Sequence, residues 1–185
     1  MPHIKTVEIN EATGELKNIY SKVVGERGKL SNILKIHSLL PKTMMTHLDF
    51  YMSIMFDKAG IRRVDAELIA IVVSATNKCD YCVNHHTEAL KFFWKDEDKV
   101  NQAVEDFRKL DLMEKQNAML EFAEKLTLYP GKMKEDDVES LRENGFSDEE
   151  ILSITLITNY FNFVNRVANG LGVDFSEEEI QGYKY

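Results

Sequence analysis

Helical periodicity runs through almost the whole chain, and few prolines interrupt it. The prolines are Pro2, Pro41 and Pro130, so long stretches are free of the residue that breaks helices. Apolar residues recur every three or four positions, which is typical of amphipathic helices, whereas strands alternate at every second position. The pattern predicts an all-α protein, a bundle of about eight helices. The predicted helices are Glu11–Glu26, Pro41–Lys58, Arg63–Lys78, Asp80–Trp94, Asp96–Leu110, Glu114–Leu128, Lys134–Asn144 and a long one from Ser147 to about Asn169.

The chain shows no internal boundary. No proline- or glycine-rich linker divides its 185 residues, and a chain of this length can bury one sizeable core. We expect a single domain, 1–185, with its core in 41–173. The acidic tail, 174–185, is expected to be exposed, with the run Glu177–Glu179 forming a solvated face of a short turn capped by Ser176.

The charge of the chain restricts its partners. A net charge of −8 repels nucleic acid and anionic membranes, and no basic cluster offsets it. The most apolar run, Leu68–Val73, is far too short to span a bilayer. We therefore expect a cytoplasmic protein with neither nucleic acid nor membrane as a partner.

The two cysteines of the chain carry the strongest chemical signal. Cys79 and Cys82 are three residues apart, and His86 follows four residues later, so on a helix the three side chains share one face. Both thiols lie near the predicted start of a helix, where backbone amides and the macrodipole favour an anion. Such a position favours the reactive thiolate.

Glu67 can join this group only if the chain folds back. It precedes Cys79 by twelve residues, which is roughly 18 Å along a straight helix. A helical hairpin that reverses near Thr76 and Asn77 places Glu67 opposite His86. Glu67 would then orient His86, and His86 would take the proton from Cys82. An unpaired carboxylate in so apolar a segment would be costly, which favours a specific partner for Glu67.

Other readings of this group remain open. Two incidental buried thiols are common in proteins. Cys79, Cys82 and His86 could also bind zinc with His85 or Glu67 as a fourth ligand, but structural zinc sites normally join two separated ligand pairs. A structural disulfide is disfavoured in the cytoplasm. A thiol redox centre is the preferred interpretation.

Further polar residues give weaker signals. His3, His37 and His47 have no spaced partner, which is typical of surface or satisfied core histidines, and His85 is expected at a solvent-facing or interface position. In the last long helix, Asn162, Arg166 and Asn169 recur at spacings of four and three. They indicate either a cleft or interface network or an exposed polar face.

Two segments resemble a known family. The stretch Asp65–Leu90, DAELIAIVVSATNKCDYCVNHHTEAL, resembles the alkylhydroperoxidase D-like, or carboxymuconolactone decarboxylase-like, all-α family. The run Phe161–Val173, FNFVNRVANGLGV, is similar to the ending of its peroxidase-related branch. The resemblance implies an all-helical fold assembled as a homo-oligomer.

The resemblance also implies an activity. It suggests a thiol peroxidase in which Cys82 attacks a hydroperoxide, Cys79 resolves the product, and Glu67 and His86 relay protons. A lipoylated or thioredoxin-like dithiol protein would be the reductant, and no cofactor is predicted. Tyr81 stands where well-characterised hydroperoxidases of the family have histidine. The alternatives are a general disulfide reductase or redox sensor, and a zinc-binding oligomeric module without enzymatic activity.

Overall fold

The computed structural model describes residues 1–57 and 60–183 and confirms the all-α prediction. Within these ranges it contains ten α-helices, eight of them long, two short 3-10 helices and no strand. None of the helices in these ranges has both the length and the apolar character needed to cross a membrane. The α-helices are α1 Gly14–Arg27, α2 Asn32–Lys35, α3 Pro41–Met55, α4 Arg63–Thr76, α5 Asp80–Trp94, α6 Glu97–Asp106, α7 Glu114–Leu128, α8 Glu135–Glu143, α9 Asp148–Leu171 and α10 Glu177–Ile180.

The boundaries differ from the predicted ones mainly at helix ends. The helix predicted to reach Lys58 ends at Met55, and Lys58 itself lies outside the described residues. Helices α2 and α10 have four residues each, too few for periodicity to reveal. The predicted turn capped by Ser176 is α10, since the Ser176 hydroxyl accepts a hydrogen bond from Glu179 N at 3.2 Å.

The long helix α9 has well-defined signals at both ends. Ser147 Oγ accepts from Glu150 N at 3.2 Å, and the Glu150 carboxylate accepts from Ser147 N at 2.7 Å, which completes a capping box. Gly172 ends the helix at a φ of +63°, and a Cβ there would come within 2.5 Å of the His3 ring. Glycine is therefore favoured by the left-handed conformation, while the exposed His3 ring would have to shift to admit a side chain.

Helix α4 lies at the centre of the main core. It packs against α5, α6, α7 and α9, and such enclosure requires a helix that is apolar on nearly every face. This explains why α4 is the most apolar segment of the sequence. The residues of α4 with no exposed surface include Leu68, Ile69, Ala70, Ile71 and Val73.

The core is wider than the predicted range of 41–173. Helices α1 and α3 enclose a second apolar cluster, and Ile36 joins the main core. The amphipathic face of α1 therefore contributes to the core although it precedes residue 41. The α1 residues in the second cluster are Leu16, Ile19, Tyr20 and Val23.

The prediction of an exposed tail is wrong for Glu179 and Ile180. Each is only 9% exposed, because α10 folds back against the start of α5. Glu179, the last residue of the acidic run, is therefore buried and does not belong to the predicted solvated face. Lys184 and Tyr185, also assigned to the exposed tail, lie outside the described residues.

Candidate active site

The two cysteines lie at the turn of the helical hairpin formed by α4 and α5. The chain reverses through Asn77 and Lys78, and Lys78 adopts a left-handed conformation with a φ of +54°. Cys79 N donates to Ser74 O at 2.9 Å, and Cys79 occupies the N-cap position of α5. The reversal falls where the sequence predicts it, immediately after Thr76.

Asparagines of α9 hold this turn. Asn77 Nδ2 donates to Asn162 Oδ1 and to Asn165 Oδ1, each at 3.0 Å. Asn165 Nδ2 donates to Ser74 Oγ at 3.0 Å, and Asn169 Nδ2 donates to Asn77 O at 3.2 Å. Asn165 has no exposed surface. Of the three residues for which two readings were left open, Asn162 is half-buried in this network, whereas Arg166 and Asn169 are exposed.

Glu67 lies between an arginine and a histidine. Glu67 Oε2 accepts from His86 Nδ1 at 2.6 Å, and Glu67 Oε1 accepts from Arg63 Nε at 2.8 Å. The hairpin thus brings Glu67 against His86, as the antiparallel pairing predicts. Sequence reasoning overlooked Arg63, although its position four residues before Glu67 on one helix face was a usable signal.

The Glu67 carboxylate is held as an anion in a fully buried position. Burial raises the pKa of Glu67, but the charges and hydrogen bonds of His86 and Arg63 outweigh this effect and leave the pKa below its ordinary value. Because Nδ1 of His86 is committed to Glu67, Nε2 remains as the ring nitrogen that can exchange a proton with a substrate.

The cysteine pair is reduced and buried, with 0% exposure for Cys79 and 2% for Cys82. A hydrogen bond from the Cys82 thiol lowers the pKa of Cys79 to about 7, against the effect of burial and with help from the Asn165 side chain. The same hydrogen bond, together with burial, raises the pKa of Cys82 well above its ordinary value. When the pair loses its first proton, the negative charge therefore resides mainly on the Cys79 sulfur.

A cavity of about 90 Å³ adjoins the pair. Cys82 and His86 both contribute to its wall, but Cys79 does not. The His86 ring packs edge-on against Phe161, with ring centroids 4.5 Å apart. In the described ranges no direct hydrogen bond joins His86 to Cys82, although both border this cavity.

A chain of hydrogen bonds begins at Tyr160, another residue of the cavity wall. The Tyr160 hydroxyl lies 2.7 Å from His47 Nε2, His47 Nδ1 lies 3.0 Å from His37 Nε2, and His37 Nδ1 lies 3.3 Å from Thr43 Oγ1. Thr43 Oγ1 donates to Leu40 O at 2.8 Å, so it accepts from His37. With both rings neutral, each ring carries one N–H. His37 then accepts at Nε2 from His47 Nδ1, and His47 accepts at Nε2 from the Tyr160 hydroxyl.

The pKa directions agree with two neutral rings. Burial, with a smaller contribution from His37, lowers the pKa of His47 to about 3. Burial also lowers the pKa of His37. His47 is a satisfied core histidine, as its lack of a spaced partner suggested, but its hydrogen-bond partners could not be found from sequence spacing.

Tyr81 and His85 connect the start of α5 to the C-terminal segment. The Tyr81 hydroxyl donates to Glu179 Oε1 at 3.0 Å and accepts from Ile33 N at 3.1 Å. His85 stacks on Tyr81 with ring centroids 4.2 Å apart, and its Nε2 lies 2.7 Å from Glu179 Oε2. Glu179 also accepts from Asn32 N at 2.9 Å. His85 therefore contacts α10 within the chain, an arrangement that sequence spacing does not reveal.

The side chains considered for zinc are used in other contacts. Among the described residues, no group of three or more histidine, cysteine or acidic side chains is gathered as metal ligands. Glu67 is bound by Arg63 and His86, and the other candidate fourth ligand, His85, faces Glu179. These two candidate zinc ligands thus contact other protein side chains.

The fold and site define a class of all-α protein in which a buried cysteine pair, a carboxylate–imidazole pair and a cavity meet at a helical hairpin. The model of the carboxymuconolactone decarboxylase family matches residues 41–125, which include the whole hairpin. Solved structures with the same fold extend the likeness over nearly the full length of the chain.

One solved structure is the alkylhydroperoxidase AhpD core of an uncharacterized peroxidase-related protein from Ralstonia eutropha JMP134. Its sequence is 27% identical to this chain, its TM-score is 0.86, and the match covers 97% of this chain and 94% of that protein. YdfG of Bacillus subtilis strain 168, an uncharacterized protein, is 26% identical over 144 residues, which are 77% of this chain and 96% of YdfG. The sequence of the debrominase Bmp8 is 21% identical to this chain, its structure gives a TM-score of 0.77, and the match covers 95% of this chain and 96% of Bmp8. This likeness shows the fold alone. The chain is thus similar to the carboxymuconolactone decarboxylase family over residues 41–125 and to alkylhydroperoxidase D-like structures over nearly its full length.

Proposed function

We propose that the protein is a cysteine-dependent peroxidase that reduces hydroperoxides through Cys82 and Cys79. The observation that carries the proposal is the wall of the cavity, to which both Cys82 and His86 contribute while His86 is bonded to the buried Glu67. A nucleophile and a proton donor thus border one space that a substrate can enter. The likeness to a peroxidase-related protein supports the same class of chemistry.

The reaction begins at Cys82. Its proton passes to His86, and the resulting thiolate attacks one oxygen of the hydroperoxide. The S–O bond forms as the O–O bond breaks, so Cys82 is oxidised to a sulfenic acid while the leaving oxygen takes the proton from His86 and departs as an alcohol or water. Glu67 holds His86 in position and stabilises its positive charge between the two transfers.

Cys79 completes the cycle. Its sulfur attacks the sulfenic acid of Cys82, a disulfide forms, and water leaves. A dithiol protein then reduces the disulfide by exchange, supplying two electrons and two protons. The low pKa of Cys79 favours this resolving step, because it supplies a thiolate at neutral pH.

Access and acidity favour different cysteines for the first attack. Cys79 has the lower pKa, but Cys82 borders the cavity, and a hydroperoxide must reach the sulfur it oxidises. We therefore assign the first attack to Cys82.

Tyr81 has no part in this relay. Its hydroxyl is bound between Glu179 and Ile33, and burial raises the pKa of Tyr81 well above its ordinary value. At neutral pH it remains protonated and acts as a structural link to α10, whereas the histidine of the characterised hydroperoxidases can exchange protons.

We further propose that the protein forms a homo-oligomer. Leu152, Leu156 and Phe163 are 58%, 36% and 50% exposed, and their spacing of four and seven residues puts them on one face of α9. An exposed apolar face of this kind is typical of a surface that a second copy covers. Light scattering of the purified protein measures the subunit number, and a monomer would contradict the proposal.

The peroxidase proposal is tested by stopped-flow oxidation of the reduced protein with hydrogen peroxide and with tert-butyl hydroperoxide. We expect fast loss of both thiols of each chain and a disulfide between Cys79 and Cys82. With Cys79→Ser, a sulfenic acid trapped at Cys82 is expected. His86→Gln should slow the first step by about a hundredfold or more, since a proton donor is lost, while His3→Gln serves as a remote control.

Two outcomes would overturn parts of the proposal. A trapped sulfenic acid in Cys82→Ser but not in Cys79→Ser would reverse the roles of the cysteines. Rapid oxidation by small disulfides with no reaction towards either hydroperoxide would identify a general disulfide reductase or redox sensor.

A further inference from the structure

A guanidinium on the cavity wall lacks an ionic partner. Arg27, the last residue of α1, is 7% exposed. In the described part of the chain its polar-group contacts are with ring faces, since Cζ lies 5.4 Å from the ring centroid of Tyr51 and 4.5 Å from that of Phe56. A buried guanidinium ordinarily satisfies its five N–H donors with carboxylates or carbonyls, because an unpaired buried charge is costly. The guanidinium nitrogens are not sealed in the interior and border the cavity, so a ligand there can supply the acceptors.

Two neighbouring cations show how such groups are satisfied elsewhere in the same region. Arg63 stacks on the same Phe56 ring, with Cζ 3.8 Å from its centroid, but it is neutralised by Glu67. Lys29 also lines the cavity, and its ammonium donates to main-chain carbonyls of the C-terminal segment, among them Glu179 O and Gln181 O at 3.2 Å each. Arg27 differs from both because no carboxylate or carbonyl oxygen of the described residues accepts a hydrogen bond from its guanidinium.

Arg27 borders the same space as the proposed reacting groups. The cavity is lined by Arg27, Cys82 and His86 and otherwise mainly by apolar and aromatic side chains, among them Leu48 and Phe161. A mostly apolar wall with few polar groups is typical of sites for small organic molecules. The volume of about 90 Å³ is below the ~150 Å³ of an engineered cavity that binds benzene, so the ligand must be compact.

We infer that the cavity binds a compact organic hydroperoxide that carries a carboxylate, with Arg27 holding the carboxylate while the peroxide reaches Cys82. The peroxide part rests on the proposed function, whereas the anion site at Arg27 does not. A carboxylate matches the planar guanidinium with two parallel charge-assisted hydrogen bonds. Arg27 is thus a specificity determinant for the substrate.

Butyrate and its uncharged amide, butyramide, test the anion site without any turnover. Both are titrated into the reduced, isotope-labelled full-length protein, and binding is followed by amide chemical shifts of the cavity residues. We expect butyrate to bind with an affinity at least about tenfold above that of butyramide, since charge-assisted hydrogen bonds are the stronger ones. Equal affinities, or no butyrate binding at concentrations of tens of millimolar, would overturn the inference.

Variants locate the site. Arg27→Met keeps the apolar stem that packs on the rings and should lose the preference for butyrate, while Arg27→Lys should keep part of it. Lys22→Met, on the exposed side of α1, should bind butyrate as the wild type does. Wild-type affinity for butyrate in Arg27→Met would refute the role of Arg27.

Hydrogen peroxide distinguishes this inference from the proposed function. It is small and uncharged, so Arg27→Met should be oxidised by it within about twofold of the wild-type rate, whereas butyrate should slow the oxidation of the wild type by the compact tert-butyl hydroperoxide. Selective butyrate binding in a protein that no hydroperoxide oxidises would support the anion site and overturn the peroxidase. Oxidation by hydroperoxides without selective butyrate binding would overturn the inference alone.

Discussion

Replacing Glu67 with glutamine removes one charge from the centre of the site and leaves the shape of the side chain almost unchanged. In the wild type, the buried carboxylate accepts from His86 Nδ1 at 2.6 Å and from Arg63 Nε at 2.8 Å. A glutamine amide offers one oxygen and one NH₂ group, so its oxygen can accept from Arg63 only if the NH₂ group faces His86 Nδ1, which must then accept instead of donating. The Arg63 charge then lacks its counter-ion in a position where its side chain is 18% exposed.

The expected cost of this change is large. Breaking a buried ion pair by removing one partner costs about 3–5 kcal/mol, a substantial part of the roughly 5–15 kcal/mol that stabilises a typical protein. Glu105→Gln is the matched control, because Glu105 also pairs with a cation at a spacing of four, Lys109, but both side chains are mostly exposed. That variant should cost less than about 0.5 kcal/mol.

The measurement is urea unfolding followed by far-ultraviolet circular dichroism, with reductant present so that both thiols stay reduced. The pKa of Glu67 is lowered in the folded protein, so its stabilisation is present above the unfolded carboxyl value of 4.5 and is lost as the pH falls through the folded value. The deficit of Glu67→Gln should therefore be full at pH 7 and shrink in acid. A deficit below about 1 kcal/mol at pH 7, or one that does not change with pH, would refute the reasoning.

Two further predictions concern the groups around the cavity. Below pH 6.5 the unfolded chain takes up a proton at His47, whereas burial lowers the pKa of His47 to about 3 in the folded protein. The free energy of unfolding should therefore fall by roughly 2 kcal/mol between pH 6.5 and 4.5. Urea titrations at both pH values should show a smaller fall for His47→Gln, and an unchanged slope would contradict the assignment. Glu179→Gln weakens the contacts to Asn32, Tyr81 and His85. Amide exchange in α10 should rise about tenfold or more, and alkylation of Cys82 should quicken; unaltered exchange would show that other contacts hold α10.

Much of the fold could be predicted because its signals are local. The helical periodicity, the capping box of Ser147 and Glu150, and the prolines all act within a few residues of each position. The contact between Glu67 and His86 could be predicted for a related reason, since a short turn between two helices fixes which residues face each other. The lengths of α2 and α10 escaped prediction because a single helical turn shows no period.

The contacts missed by sequence reasoning join distant parts of the chain. Tyr160 lies 113 residues from its partner His47, and Tyr81 lies 98 residues from Glu179. Nothing in the spacing of these residues distinguishes them from ordinary core or surface groups. Their pairing depends on how α3, α9 and α10 pack around the hairpin.

The sequence by itself determined that this protein is all-α, where most of its long helices lie, and which carboxylate, imidazole and thiols can meet at one hairpin, because periodicity, capping and helix geometry are short-range properties. Only the tertiary structure decided that Cys82 borders the cavity while Cys79 is the more acidic thiol, that α10 packs over the start of α5, and that Arg27 enters the cavity wall with no counter-ion among residues 1–57 and 60–183. Access, burial and pairing of charges depend on which surfaces the packed helices exclude from water, and that is settled only when all of them are in place.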